Sequence, residues 1–224
     1  MDVIMSTVKL NLLAPIGSIS KIKSSMLDNM LLGDFPEKQQ PIDHTVIYLN
    51  LQKGSSVIIG PNQISFGIEN IDKQISITEN RSYVDETISS WKTMAKAITK
   101  ELLLDELCDI VEVDFAAFVS TQKNKGKEAA DNSIQNFSPI KRPALRGIGD
   151  PIAVGLRYVF ERELMIFDTR IEPFLPNLSQ YFYTMNAKTK PTKKTFDEAF
   201  VILENNYNFF NGQLFTLIKD SILI

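Results

Sequence analysis

Two acidic pairs at period-two spacing, Glu112 with Asp114 and Glu161 with Glu163, are the side chains most able to do chemistry here. Carboxylates placed side by side can hold Mg²⁺ or divide acid and base roles. Charged residues alternating on the solvent face of a half-covered sheet produce the same spacing. No nuclease-like Asp…Glu-x-Lys arrangement accompanies either pair. The one histidine, His44, follows Asp43, which could orient an imidazole as a general base. No Gly-x-Ser-x-Gly nucleophile motif exists for it to serve, and a histidine at the start of a strand is the simpler reading. The single Cys108 and single His44 cannot supply the usual ligands of a zinc site. Cys108 reads as a small buried hydrophobe. Gly147-Ile148-Gly149 has neither a Walker lysine nor dinucleotide-loop spacing, and Pro151 blocks a phosphate-receiving helix behind it. No catalytic, cofactor-binding or metal-binding set is predicted.

Charge is distributed unevenly. Lys123, Lys125, Lys127, Lys141, Arg142 and Arg146 face only Glu128 and Asp131 between Thr121 and Gly147, a net +4. Lys188, Lys190, Lys193 and Lys194 add +4 without an acid among them. The chain total is −3, so the remainder carries −11. Brought together, the ten cations would form a patch for phosphates or an acidic partner, with salt-sensitive affinity. Phe137, Tyr181, Phe182 and Tyr183 are aromatics that could stack on exposed bases there. Lys-rich loops that keep a domain soluble give the same pattern. The overall acidity is unlike a dedicated nucleic-acid binder.

The chain has 224 residues, 44% of them apolar, enough for a large core in one domain. No apolar run approaches the roughly 18 residues of a membrane span. Met1-Asp2-Val3-Ile4 lacks the basic start of a signal peptide. A lone cysteine suits a reducing cytoplasm.

Val8, Leu10 and Leu12 alternate as in a half-buried strand, ended by Pro15 and Gly17. Ile19, Ile22, Met26 and Met30 predict a short helix closed by Gly33, with Pro36–Asp43 as a surface connector. Strands follow around Val46 and Tyr48, at Val57–Ile59, at Ile64–Ile68 about the Gly60-Pro61-Asn62 turn, and near Ile75 and Ile77. Ile88, Trp91, Ala95, Ile98 and Leu102 form one helical stripe, capped by Ser82 or Asp85. Val111 to Val119 is the clearest strand. Residues 122–150 read as a long irregular basic loop. A hairpin is expected from Ile152–Phe160 and Leu164–Ile171, stopped by Pro173 and Pro176. Thr195-Phe196-Asp197-Glu198 fits a capping box. Phe196, Phe200, Leu203, Tyr207, Phe210, Leu214 and Leu217 then step by 4 and 3 along a closing helix, with Gly212 off the stripe. Ile222-Leu223-Ile224 is an apolar tail suited to folding back or to docking on another subunit. No fixed-period repeat exists, only a loose echo of strand, helix and hairpin in the first and last thirds.

Several of these pieces resemble an uncharacterised, sporadically distributed bacterial protein family of about this length. They are Val8–Leu12, Phe35-Pro36-Glu37-Lys38-Gln39-Gln40-Pro41, Gly60-Pro61-Asn62-Gln63-Ile64-Ser65, Ser90-Trp91, and Phe196–Leu217. The resemblance spans nearly the whole chain and implies no activity, since that family has none assigned.

The expected fold is one α+β domain over residues 1–224. It has a mainly antiparallel sheet of five to eight strands and two long amphipathic helices, the Trp91 helix and the C-terminal helix, packed on one face. The expected role is a non-catalytic binding or assembly subunit of a bacterial cytoplasmic multi-protein system, of which defence and stress systems are one class. A protein partner or self-association is expected, and no membrane. Metal-dependent action on a phosphate-containing substrate and nucleic-acid binding through the basic loops are the alternatives.

Overall fold

The computed structural model describes residues 3–14, 24–40, 44–71, 79–102, 104–120, 128–137, 153–177 and 179–222. The fold is mixed helix and strand built on a large antiparallel sheet. Its strands are β1 (Val3–Leu13), β2 (Glu37–Gln39), β3 (Val46–Asn50), β4 (Ser55–Gly60), β5 (Gln63–Glu69), β7 (Ile110–Ser120), β8 (Leu156–Arg162), β9 (Met165–Pro173) and β10 (Gln180–Thr189). A separate two-stranded ribbon joins β6 (Leu107–Cys108) to β11 (Lys194–Thr195). The helices are α1 (Ser24–Leu31), α2 (Asn80–Glu101), α3 (Glu128–Phe137), α4 (Phe196–Phe209) and α5 (Phe215–Ile222).

The nine strands run in the order β2-β3-β4-β5-β1-β7-β10-β9-β8, one more than the largest expected sheet. Each neighbouring pair is antiparallel. That order reveals a two-fold plan. β1, α1, the meander β3-β4-β5 and α2 form one half; β7, α3, the meander β8-β9-β10 and α4 form the other. In each half the meander returns beside its own first strand, and β1 pairs with β7 at the centre. The halves share no readable sequence period because only pattern, not residue identity, is repeated.

Alternation decides which face is core. Val8, Leu10, Leu12, Val111, Val113, Phe115, Tyr183, Met185 and Ala187 are all buried, and their neighbours in sequence point the other way. Burial of each large apolar side chain contributes roughly 1.5–3 kcal/mol. Rings from the helices settle on this face: Trp91 stacks on Phe66 at 5.8 Å, and Phe200 reaches Phe66 at 6.5 Å. Phe210 lies between Phe115, at 5.4 Å, and Tyr183, at 4.3 Å.

One interruption in the alternation has a clear cause. Met5 is buried on an odd position, while Val8, Leu10 and Leu12 are buried on even ones. The register against β7 shifts between Met5 and Thr7, so Ser6 is the extra residue of a β-bulge that reverses the parity. β5 pairs β1 only from Thr7 onward. Beyond it, Asn80 replaces the missing strand: its Oδ1 accepts from Met5 N at 3.0 Å and its Nδ2 donates to Met5 O at 3.1 Å.

Several expectations need correction. The Pro36–Asp43 connector contains the short strand β2, which pairs along β3. α2 begins at Asn80, with neither Ser82 nor Asp85 as its cap; Ser82 Oγ instead donates to Glu79 O at 3.0 Å. The 122–150 region contains the helix α3, whose Ala129, Ala130 and Ser133 are buried; residues 121–127 and 138–152 lie outside the described residues. β10 is an interior strand that the expected layout lacked. The closing helix is not one uninterrupted α-helix. A π-helical turn, Phe210–Leu214, separates α4 from α5, and Gly212 sits in it with no heavy atom within 4 Å of an added Cβ. Such a wide turn is favoured where a weak helix former interrupts the ladder. The strand near Ile75 and Ile77 and the tail residues Leu223 and Ile224 lie outside the described residues.

The capping box forms as expected. Glu198 N donates to Thr195 Oγ1 at 3.2 Å and Thr195 N donates to Glu198 Oε2 at 2.7 Å. Asp197, in the first turn of α4, also accepts from Lys92 at 3.2 Å and Lys96 at 3.0 Å, fastening α2 to α4.

The β8–β9 hairpin closes through only two residues, since Arg162 pairs with Met165. Glu163 and Leu164 both take positive φ, 51° and 64°, as a type I′ turn requires. Neither residue type prefers that region, and Leu164 is 68% exposed. Replacing the pair by Asn-Gly should therefore stabilise the fold by about 1 kcal/mol, measured by urea denaturation. Equal or lower stability would show that the turn is unstrained.

Candidate functional site

Two polar constellations stand on the sheet, and both use its second half. The first lies on the face opposite the apolar core residues. Period two brings Glu112 and Asp114 of β7 to that face, and the β7–β10 register puts Asn186 opposite Asp114. Asn186 Nδ2 donates to Glu112 Oε1 at 2.8 Å and to Asp114 Oδ1 at 2.7 Å. One amide group thus binds both carboxylates. Lys188 Nζ lies 4.0 Å from Glu112, and Lys9 of β1 pairs with Glu69. Across β9, Asp168 accepts from Arg157 Nε at 2.9 Å and Nη2 at 2.6 Å, with Arg170 at 3.7 Å. The face is a mixed-charge lattice in which Glu69, Glu112, Asp114 and Asp168 each meet a donor. Among the described residues no group of three or more His, Cys, Asp or Glu is placed to hold a metal ion.

Burial pushes the Asp114 carboxyl above its ordinary value, and the Glu112 charge pushes the same way, against Asn186 and Lys9. A carboxyl raised on folding binds its proton more tightly in the native state. The associated stability is fully present below the unfolded value, about 3.9, and is lost as pH rises through the raised folded value. Asp114→Asn keeps an oxygen for Asn186 and removes the charge. Its melting temperature should exceed wild type at pH 7 and match it near pH 3. An equal offset at both pH values would contradict the assignment.

The second constellation is a pocket of about 250 Å³ between the β8–β9 hairpin and α4. Its apolar lining includes Met165, Phe167, Ile202 and Phe209, and Arg162, Lys190 and Lys194 supply its cations. Arg162 lies 5.1 Å over the Phe209 ring and its Nη1 reaches Gln213 Oε1 at 3.3 Å. Lys190 Nζ bonds Glu161 Oε1 at 2.6 Å, and Lys194 Nζ donates to Thr192 O at 2.9 Å. Asn206, buried on α4, donates to Ile202 O at 2.8 Å. Positive side chains over an apolar lining suit an anionic group on a small apolar body.

The ten patch residues separate accordingly. Lys123, Lys125, Lys127, Lys141, Arg142 and Arg146 lie outside the described residues. Lys190 and Lys194 meet at the pocket, Lys188 turns to Glu112 on the polar face, and Lys193 is exposed beside β11. Of the aromatics, Tyr181 and Tyr183 are fully buried and offer no stacking surface, which corrects that expectation. Phe182 points to the polar face, where Phe118, at 5.2 Å, and Phe174, at 6.4 Å, form an apolar corner with it. Glu161 and Glu163 part company, to Lys190 and to Arg162 at 3.1 Å. His44 is exposed at φ 62°, ahead of β3; Asp43 and Gly147-Ile148-Gly149 lie outside the described residues. Cys108 is buried, and burial pushes its thiol up to about 11, so it stays protonated and poorly nucleophilic at neutral pH.

Asn186, Arg157, Asp168 and Arg162 were missed from sequence. Asn186 had a signal, the alternation of Tyr181, Tyr183, Met185 and Ala187 around it; the Arg157–Asp168 pair had none, since it depends on the hairpin register.

Exposed large apolar side chains concentrate at the same end. Tyr158, Val159, Leu164 and Ile166 are 53%, 62%, 68% and 48% exposed, and all belong to β8, its turn or the start of β9. No helix among the described residues is long and apolar enough to cross a membrane. Comparison with protein-family models, curated proteins and solved structures finds no match to this chain.

Proposed function

We propose that the chain is a non-catalytic binding or assembly subunit of a multi-protein system in a bacterial cytoplasm, working through its β8–β9 end. The observation that carries this reading is the exposure of Tyr158, Val159, Leu164 and Ile166, all on the last hairpin, with Tyr158 and Val159 on opposite faces of its edge strand. Clustered exposed apolar residues rimmed by charge are characteristic of contact surfaces. In this reading α2 and the α4–α5 run are the two long amphipathic helices that close one face, leaving the hairpin end for partners. The carboxylates support it indirectly, because Glu112 and Asp114 are engaged by Asn186.

The test is a native mass measurement on the chain in extract of the cells that produce it. An assembly larger than the single chain, dispersed by Val159→Lys, is expected. A single-chain mass for both proteins would overturn the reading.

A second reading, binding of a small phosphate-containing ligand, is favoured by Arg162, Lys190 and Lys194 at the pocket. Pyrophosphate should then raise the melting temperature of wild type and not of Lys194→Ala. No shift in wild type would remove it.

A further inference from the structure

The two ends of the sheet are treated differently. At one end β2 has three residues, Glu37-Lys38-Gln39, and Lys38 is held by Asp28 at 2.7 Å. A short, charged edge resists pairing with another chain. At the other end β8 has seven residues, Leu156-Arg157-Tyr158-Val159-Phe160-Glu161-Arg162, and nothing among the described residues pairs along its outer side. Tyr158 and Val159 leave more than half of their surfaces in solvent. An edge of this length and apolarity is a template for another strand.

The hairpin fixes which backbone groups point outward. Arg162 and Met165 close a two-residue turn and so form a hydrogen-bonded pair, as do Phe160 with Phe167 and Tyr158 with Thr169, two and four residues back. Thr169 Oγ1 also reaches Tyr158 O at 3.3 Å, which confirms that this carbonyl points into the sheet. Arg157, Val159 and Glu161 therefore direct their N–H and C=O groups away from β9.

Those three residues are self-complementary. We propose that the chain forms a two-fold symmetric dimer in which β8 pairs antiparallel with β8 of a second copy, centred on Val159. This rests on the assembly reading above and names its partner. In that register Arg157 faces the partner's Glu161, Val159 faces the partner's Val159, and Glu161 faces the partner's Arg157. Each is a hydrogen-bonded position, giving about six backbone bonds. Tyr158 faces the partner's Phe160 at a position without backbone bonds, where side chains approach most closely and aromatic pairs contribute most. Centring the two-fold on Arg157 or on Glu161 sets like charges opposite each other, and centring it between outward residues leaves Arg157 or Glu161 facing valine. Only the Val159 register matches all three. Arg157 is already bound to Asp168 and Glu161 to Lys190, so pairing extends two ion pairs into alternating four-residue chains on each side of the axis. Exposed ion pairs contribute little affinity; here they select the register.

Sedimentation velocity on the purified full chain across the micromolar range tests this. The expected result is twice the chain mass for wild type. Val159→Lys sets like charges together at the axis and should weaken the dimer by roughly tenfold or more. Val159→Pro deletes an outward N–H that the folded monomer does not use and should also give single chains. Circular dichroism of both variants should match wild type, showing that the monomer remains folded. A wild type of single-chain mass at every concentration, or dimers that survive both substitutions, would overturn the proposal. Should purified wild type be monomeric while an assembly in extract still disperses with Val159→Lys, self-pairing fails and the assembly reading stands. If neither behaviour is seen, both fail.

Discussion

Asn80→Ala should destabilise the fold by about 2–4 kcal/mol, because two buried backbone groups of Met5 lose their Asn80 partners at once. The Ser6 bulge is what puts Met5 in the core, and it does so past the point where β5 has ended. On the side that β5 has vacated, Met5 N and O meet the Asn80 amide. The Asn80 amide presents an acceptor at 3.0 Å and a donor at 3.1 Å, in the manner of a peptide group. Alanine offers neither, and water has little room at a site where Asn80 is 3% and Met5 2% exposed. Asn80→Asp keeps the acceptor and loses the donor, so it should fall between the two or below alanine if its charge stays buried. Equilibrium urea denaturation reads the difference. A loss under 1 kcal/mol for alanine would mean that the bulge is not held by this side chain.

Phe210→Ala should cost more, about 3–5 kcal/mol, as expected when a fully buried aromatic is truncated in a packed core. Phe210 is 0% exposed and stacks on rings from both central second-half strands, Phe115 of β7 and Tyr183 of β10. It also opens the π-helical turn, so the wide turn and the ring stack occupy the same place. The wide turn lets α4 and α5 continue after Gly212 while Phe210 and Leu214 both remain buried. Phe210→Leu keeps much of the volume and loses the stacking; a cost well below that of alanine is expected, by about half. Calorimetric unfolding distinguishes them. Near-equal costs for Leu and Ala would show that ring stacking, not volume, governs the site.

The residues that sequence placed correctly are those whose signal is local. Thr195 and Glu198 are three apart and bond each other, so the start of α4 is written in four letters. Val111 to Val119 alternates within one strand, and the Ile88–Ile98 stripe lies on one helix. The features that were not legible depend on distant partners. Asn80 acts on Met5 across 75 positions, and nothing around Ser6 marks a bulge. α3 buries small residues, Ala129, Ala130 and Ser133, which leave no apolar stripe to notice between Lys-rich flanks. β10 is hard to read because Tyr181–Ala187 runs straight into the Lys188–Lys194 cluster, whose charges break the apolar alternation at its end. The two-fold plan surfaced only as an echo, since strand order is decided by which meander returns to which first strand.

For the candidate site the same division holds. Glu112 and Asp114 sharing a face follows from period two; that Asn186 binds both requires knowing β10 is the neighbour. The lysines at Lys188, Lys190, Lys193 and Lys194 look like one cluster in sequence. In space Lys188 turns to Glu112, Lys190 to Glu161 at the pocket rim, Lys194 lines the pocket and Lys193 is exposed. The complementarity of β8 is present in the letters Arg-Tyr-Val-Phe-Glu, yet it has meaning only once β8 is known to be the last strand.

Amide hydrogen exchange along β8 reads the edge pairing residue by residue, because the inward and outward N–H groups alternate on one strand. Tyr158, Phe160 and Arg162 should exchange slowly at every protein concentration. Arg157, Val159 and Glu161 should become slow as concentration rises, and fast again in Val159→Lys. If these three amides exchange freely at all concentrations while their neighbours stay protected, the edge stands open and the strand pairing proposed for it does not occur.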